Sequence, residues 1–187
     1  MFEKEINRIA FLNARLLDPE TKLDSFGHIL IENKVIKDII IDKKTFNIPD
    51  SYRIIDCKNM ILCPGFIDIC AHLREPGEEY KENIESASNS AIAGGITSIV
   101  CMPDTNPVID QISVIEFIAK RARETNGVKI YPAATITKSI EGTILSEMGL
   151  LKEAGAILFT EGNTTLNNTK MMKQALEYAK NFDALIA

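Results

Sequence analysis

Asp68, Cys70, His72 and Arg74 stand at every second position of the run FIDICAHLREPG, Phe66 to Gly77. Strand side chains alternate between faces, so an extended strand puts all four on one face. A thiol and an imidazole at i and i+2 can grip one metal ion, and the arginine fork can hold a carboxylate bidentately. Two further apolar runs end in polar groups: CMPDTNP carries Asp104, and FTEGN carries Glu161. Each group also has an ordinary structural explanation. A lone histidine at a strand end is by default a hydrogen-bonded structural residue, and a buried cysteine is a small hydrophobe. Asp104-Thr105-Asn106-Pro107 is by default a turn, and Glu161 an acid favoured at a helix start. His28, in an earlier β-branched run, reads as a surface strand residue. Spacing alone leaves both explanations open.

The elements that must position these groups can be read from hydrophobic period and turn chemistry. IAFLNARLLD, HILIENKVIKDIII and YRIIDCKN are β-branched runs parted by polar turns such as Glu32-Asn33. After Pro64-Gly65, FIDICAHL reads as a buried strand. YKENIESASNSAIAGG then has helical spacing, with Ile84, Ala87, Ala91 and Ile92 on one side and Gly94-Gly95 as the stop. GITSIVCMP is a second strand. Asp110 is placed to cap a helix through ISVIEFIAKRARETN that ends near Gly127. VKIYPAATIT is a strand, SEMGLLKEAG a short helix, AILFTE a strand, and LNNTKMMKQALEYAKN a helix. ALIA, at the end, starts like a fifth strand. Strands alternating with helices mean an α/β fold with a parallel sheet and right-handed crossovers. A (β/α)8 barrel needs about eight such units and about 250 residues. The expectation is therefore the N-terminal part of a TIM-type barrel, truncated or completed elsewhere, with the chain stopping near strand 5.

Composition narrows the function classes. Hydrophobic content of 45% with 25% charged residues is that of a globular chain, which excludes whole-chain disorder. The net charge of −5, with no basic block, argues against a nucleic-acid partner. No apolar run reaches the roughly 18 residues of a membrane span, and the N-terminal stretch lacks the apolar core of a signal peptide. Cys57, Cys63, Cys70 and Cys101 form no C-x-x-C pair, which fits cytoplasmic thiols better than a disulfide framework.

Three motifs, PGFIDICAHLREPG, AGGITSIVCMPDTNPVID and LLKEAGAILFT, closely resemble the dihydroorotase branch of the amidohydrolase superfamily. Allantoinases and hydantoinases share the general pattern, while REPG and CMP-x-T-NP favour dihydroorotase. The resemblance covers the whole chain. It implies a (β/α)8 metallohydrolase barrel beside a small β-sandwich, here residues 1–60 for the sandwich portion and 61–187 for the first half of the barrel. It also implies hydrolysis or closure of a cyclic amide, interconverting carbamoyl-aspartate and dihydroorotate in pyrimidine synthesis, with one or two zinc ions. Zinc lowers the pKa of bound water to roughly 7.

The chain departs from the family pattern at three positions. The first strand of the family carries Asp-x-His-x-His with both histidines on zinc; here Cys70 replaces the first and His72 is kept. Met-Pro-Asn-Thr becomes Met-Pro-Asp-Thr, so Asp104 replaces the Asn that helps Arg74 hold the substrate carboxylate. The metal-bridging Asp of Asp-Asp-Gly becomes Glu161. A thiolate ligates zinc at about 2.3 Å, so a Cys70, His72 and Glu161 site is chemically conceivable. An ionised Asp104, however, donates no hydrogen bond and repels a carboxylate. Glu161 is longer by a methylene, more than the roughly 0.5 Å a working site tolerates. By the resemblance, the next zinc ligand, a further His and the catalytic Asp are expected beyond Ala187, so no catalytic residue is expected within this chain. The expectation is a degenerate dihydroorotase homologue, weak in zinc or without it. It would be oligomeric and would serve as a scaffold for aspartate carbamoyltransferase. The alternative is an active zinc dihydroorotase whose C-terminal half is absent from this chain.

Overall fold

β-branched and leucine-rich runs fold the first part of the chain into strands and leave little room for a helix. The structure, a computed structural model, describes residues 7–41, 47–125 and 127–187. Residues 1–6, and Asn126 at the end of the expected second helix, lie outside the described residues. The chain divides into two units, Met1–Pro64 and Gly65–Ala187.

The first unit contains β1 (Arg8–Asp18), β2 (Leu23–Glu32), β3 (Val35–Ile41), β4 (Arg53–Asp56) and β5 (Ile61–Leu62). They form one sheet in the order β3-β2-β1-β4, with β5 also paired to β1. The β2–β3 hairpin turns at Asn33 and Lys34, with φ of 50° and 66°. Positive φ at both central residues gives the turn whose twist matches its strands. A bulge interrupts β1 between Phe11 and Ala14, and there the Asn13 N–H donates to His28 Nδ1 at 3.0 Å. His28 is thus an acceptor at the bulge, half-buried. The core of this unit is small: Ala14, Leu16 and Cys57, with Phe11, Leu23, Ile29 and Leu62 against them.

The second unit alternates β6 (Phe66–Ala71), α1 (Ile84–Ala93), β7 (Ile96–Cys101), α2 (Ile112–Thr125), β8 (Lys129–Ala134), α3 (Met148–Glu153), β9 (Leu158–Phe159) and α4 (Thr169–Lys180). The sheet is parallel, in the order β6-β7-β8-β9. α1 begins with a capping box in which the Asn83 side chain accepts from the Ser86 N–H and the Ser86 hydroxyl accepts from the Asn83 N–H. α4 is capped by Asn168 Oδ1, which accepts from the Lys170 and Met171 N–H groups. Beyond α4 the chain returns to the sheet. Ile186 bridges Phe159 in parallel, so the ALIA segment does begin a further strand. Ile84, Ile99, Ile115, Ile118, Ile136, Met148, Leu151 and Phe159 bring residues of α1, β7, α2, α3 and β9 into one core.

Two local expectations are corrected. FIDICAHL was expected to be a buried strand, yet Phe66, Ile67 and Ile69 are 62%, 65% and 70% exposed. Among the described residues β6 is an edge strand paired only with β7, and burial of an apolar strand depends on neighbours that its own sequence cannot supply. Asp110, expected at the cap of α2, instead places Oδ2 on the Ser139 N–H at 3.0 Å, in the loop after β8.

Candidate functional site at the strand ends

The pleat of β6 does not carry all four polar groups on one face. Its ladder with β7 is irregular between Asp68 and Ala71. There Asp68 Oδ1 accepts from the Cys70 N–H at 3.0 Å, a local side-chain bond that competes with strand pairing. Cys70, read from sequence as buried, is exposed. The strand ends at Ala71, and Arg74 adopts a φ of 62°, so the chain has turned before it. His72 and Arg74 are therefore placed by loop contacts.

Those contacts converge on Asp104. His72 Nδ1 lies 2.7 Å from Asp104 Oδ1. Arg74 Nη1 lies 3.6 Å from Asp104 Oδ2 and 3.3 Å from Glu78 Oε2. One carboxylate thus spans the imidazole and the guanidinium, and a second takes the other side of Arg74. The Glu78 carboxyl is held below its usual range, first by its hydrogen bond to Lys81 and also by Arg74. Partly exposed pairs of this kind contribute little stability. Their consequence is chemical: the cation best suited to an incoming carboxylate is already answered by two acids of its own chain.

The loops that hold these groups are locked together by residues outside the sequence motifs' obvious chemistry. Glu75 is 3% exposed; its Oε2 accepts from the Ile84 N–H at the start of α1, and its Oε1 accepts from Arg121 Nε on α2 at 2.7 Å. The Asn106 N–H donates to the Pro76 carbonyl at 2.9 Å. At Gly77, where φ is 99°, a Cβ would stand 2.0 Å from the Asn106 carbonyl oxygen, so only glycine permits this approach. Asp104-Thr105-Asn106-Pro107 does bend, with Thr105 Oγ1 donating to the Pro107 carbonyl at 2.7 Å. Sequence reasoning passed over Glu75. The available signal was an acid beside Arg74 and shortly before a helix start.

Glu161 stands elsewhere in the hydrogen-bond network. It is 4% exposed, and its Oε1 accepts from both the Thr137 N–H (2.8 Å) and the Thr137 hydroxyl (2.7 Å). α4 begins at Thr169 with Asn168 as its cap, so Glu161 is not the helix-start acid of the default explanation. Among the described residues, no three His, Cys, Asp or Glu side chains gather as a metal site requires. Zinc asks for about four ligands at roughly 2.0 to 2.3 Å. Within this chain Cys70, His72 and Glu161 do not come together as such a set: Cys70 is exposed, and one Glu161 oxygen is doubly engaged by Thr137. Cys101 is also unsuited to ligation. Burial pushes its thiol up to about 12, so it is a neutral hydrophobe at the end of β7. Among the described residues no helix is long and apolar enough to cross a membrane.

Comparison with known proteins agrees with the motifs. A family model described as Dihydro-orotase-like matches residues 59–187. The chain is 45% identical over 179 residues to the dihydroorotase of Syntrophus aciditrophicus, covering 96% of this chain and 42% of that protein. It is 43% identical over 167 residues to the dihydroorotase of Aquifex aeolicus, covering 89% of this chain and 39% of that one. The chain thus spans about two-fifths of the length of these relatives. Among solved structures it is similar to the L-hydantoinase (dihydropyrimidinase) of Arthrobacter aurescens, with a TM-score of 0.77 at 19% identity over 95% of this chain and 39% of that one. That likeness identifies the fold as part of a parallel α/β barrel.

Proposed function

The chain belongs to the dihydroorotase-like family, and on that premise we propose that it is a non-catalytic member of pyrimidine biosynthesis, a cytoplasmic subunit that supports aspartate carbamoyltransferase. The observation that carries this reading is the Asp104 carboxylate, 2.7 Å from His72 and 3.6 Å from Arg74. An acid fixed between the imidazole and the guanidinium competes with any substrate carboxylate for the same donors. The exposed Cys70 and the Thr137-bound Glu161 support it further. The scaffold role rests on what remains when the site is spent: a folded strand-and-helix frame whose loops are still tightly locked.

The second reading is an active zinc dihydroorotase, with further ligands supplied by residues outside this chain. One observation favours it. If the proton lies on Nδ1, the bond to Asp104 leaves the Nε2 lone pair of His72 to a metal, a common arrangement around metal-bound histidines.

Zinc content and dihydroorotate hydrolysis of the longest natural form, purified without chelator, separate the two. The scaffold reading expects no bound zinc, no hydrolysis, and co-elution with aspartate carbamoyltransferase. Stoichiometric zinc with turnover would replace it with the enzyme reading, under which Arg74→Ala raises KM by roughly ten-fold or more. Cys70→His alone is expected to restore no hydrolysis, because Asp104 and Glu161 remain; substantial turnover in that single variant would sink the scaffold reading.

A further inference from the structure

The parallel sheet of the second unit has a gap beside an interior strand. β8 pairs with β7 from Lys129 to Pro132, but β9 joins its other side only at Ala133 and Ala134. Along a strand the backbone groups of successive residues face alternate sides. The Pro132 and Ala134 carbonyls accept from the Ile157 and Thr160 N–H groups, on the β9 side. By that alternation the N–H and C=O of Ile130 face the β9 side too, and neither has a backbone partner there among the described residues. Ile130 is half-buried, and shielded backbone groups call for partners. The gap opens into a groove of about 450 Å³, lined by Ala119, Ala122 and Arg123 near the end of α2 and by residues 127–131. Two cations stand on this groove. Arg123 and Lys129 are exposed, and neither makes an ion pair among the described residues. Glu124, beside Arg123 in the chain, is taken by Arg121 at 3.1 Å. The dipole at the end of α2 accounts for Arg123 but not for Lys129 on the strand.

We propose that this groove is a docking site for an acidic segment of a partner protein, added in extended form beside Ile130. The Ile130 N–H donates to a carbonyl of that segment and the Ile130 C=O accepts one of its N–H groups, which is strand addition over a short span. Charge selects the segment: the lining carries two cations and no Asp or Glu, in a chain whose net charge is −5. Carboxylates at alternate positions of an extended segment fall on one face and can meet Arg123 and Lys129. Ala119 and Ala122 leave room for the backbone between helix and strand. A small anion would answer the cations and leave Ile130 unpaired, and an apolar ligand would do neither. The groove lies at the start of β8, and parallel strands put their starts at the opposite end of the sheet from the ends of β6 and β7 that lead to His72 and Asp104. None of Cys70, His72, Asp104 and Glu161 lines it, so the inference stands whether or not the strand-end site is catalytic.

The test is fluorescence anisotropy of a labelled hexapeptide of alternating Glu and Val, titrated with the full chain at concentrations where sedimentation shows monomer. Saturable binding is expected, roughly three-fold weaker in Arg123→Gln or Lys129→Gln and roughly ten-fold weaker in the double variant. Circular dichroism melting checks that the variants fold, as their exposed positions predict. A second arm needs no variant: the same peptide methylated on its central backbone nitrogens keeps its charge but cannot donate to the Ile130 carbonyl. It is expected to bind the native chain roughly ten-fold more weakly. No saturable binding, undiminished binding in the folded double variant, equal affinity for the methylated peptide, or displacement by an oligothymidylate of equal charge would each overturn the proposal.

Discussion

At the scale of single residues, the chemistry of this chain turns on where carboxylates and thiols find partners. Asp104 differs from an asparagine by one atom, yet an ionised carboxylate only accepts, while an amide also donates. That change turns a group able to hold an anion beside Arg74 into one that occupies Arg74 itself. The cysteines separate in the same way. Cys63 and Cys70 are exposed and Cys57 and Cys101 buried, and burial raises Cys101 from its ordinary 9.0 to about 12. A thiol reagent at pH 8 is therefore expected to modify two thiols quickly and two only as the chain opens. Fast reaction of all four would contradict the burial. The sign of the pH effect follows. A raised folded pKa means that the protonated thiol stabilises the fold fully below about pH 9. That contribution is lost as pH climbs from 9 toward 12, so thermal midpoints should fall across that alkaline range. Cys101→Ala, which cannot titrate, should flatten the decline.

At the scale of elements, what was legible in the sequence was local. The Gly94-Gly95 stop and the buried Ile84 and Ala91 of α1 act within a few residues, so a linear reading finds them; the Asn83 cap is as local but was passed over, and Ile92, expected on the same side, is 56% exposed. The partners that define the site act at long range. His72 meets Asp104 across 32 residues and Glu161 meets Thr137 across 24, and no periodicity encodes either. Glu75 shows the same limit. It was passed over in the sequence, yet it ties the Arg74 loop to the start of α1 and to Arg121 on α2. The pair is asymmetric, because the Glu75 side chain is 4% exposed and that of Arg121 is 34% exposed. Arg121 also reaches Glu124 at 3.1 Å. Removing Arg121 strands a buried acid, whereas removing the charge of Glu75 leaves an arginine with solvent and a second partner. Arg121→Met should thus cost more than Glu75→Gln, about 3 kcal/mol against about 1 kcal/mol in urea unfolding. Equal losses would mean that the pair is held by packing and not by charge.

At the scale of the whole molecule, the strongest physical signal is apolar surface at a sheet edge. In the second unit β6 has one neighbour, and Phe66, Ile67 and Ile69 stand more than half exposed. The aspartate that loosens its pairing, Asp68, lies in the same stretch. An edge with unpaired backbone groups and bare β-branched side chains is a template for another strand. In a solution of this stretch alone, another copy is a ready source of such a strand. The 187-residue chain by itself is accordingly expected to self-associate as its concentration rises, read by sedimentation velocity. Ile69→Lys, which puts a charge on the exposed edge, should shift the distribution toward monomer. Leu176→Lys, on the exposed face of α4, is the matched control: it removes a comparable apolar side chain from a helix whose backbone is already satisfied. If both variants dissociate the assembly equally, general surface hydrophobicity drives it. If only Ile69→Lys does, the open strand edge is the adhesive element, and the residues of FIDICAHLREPG serve assembly as much as any pocket.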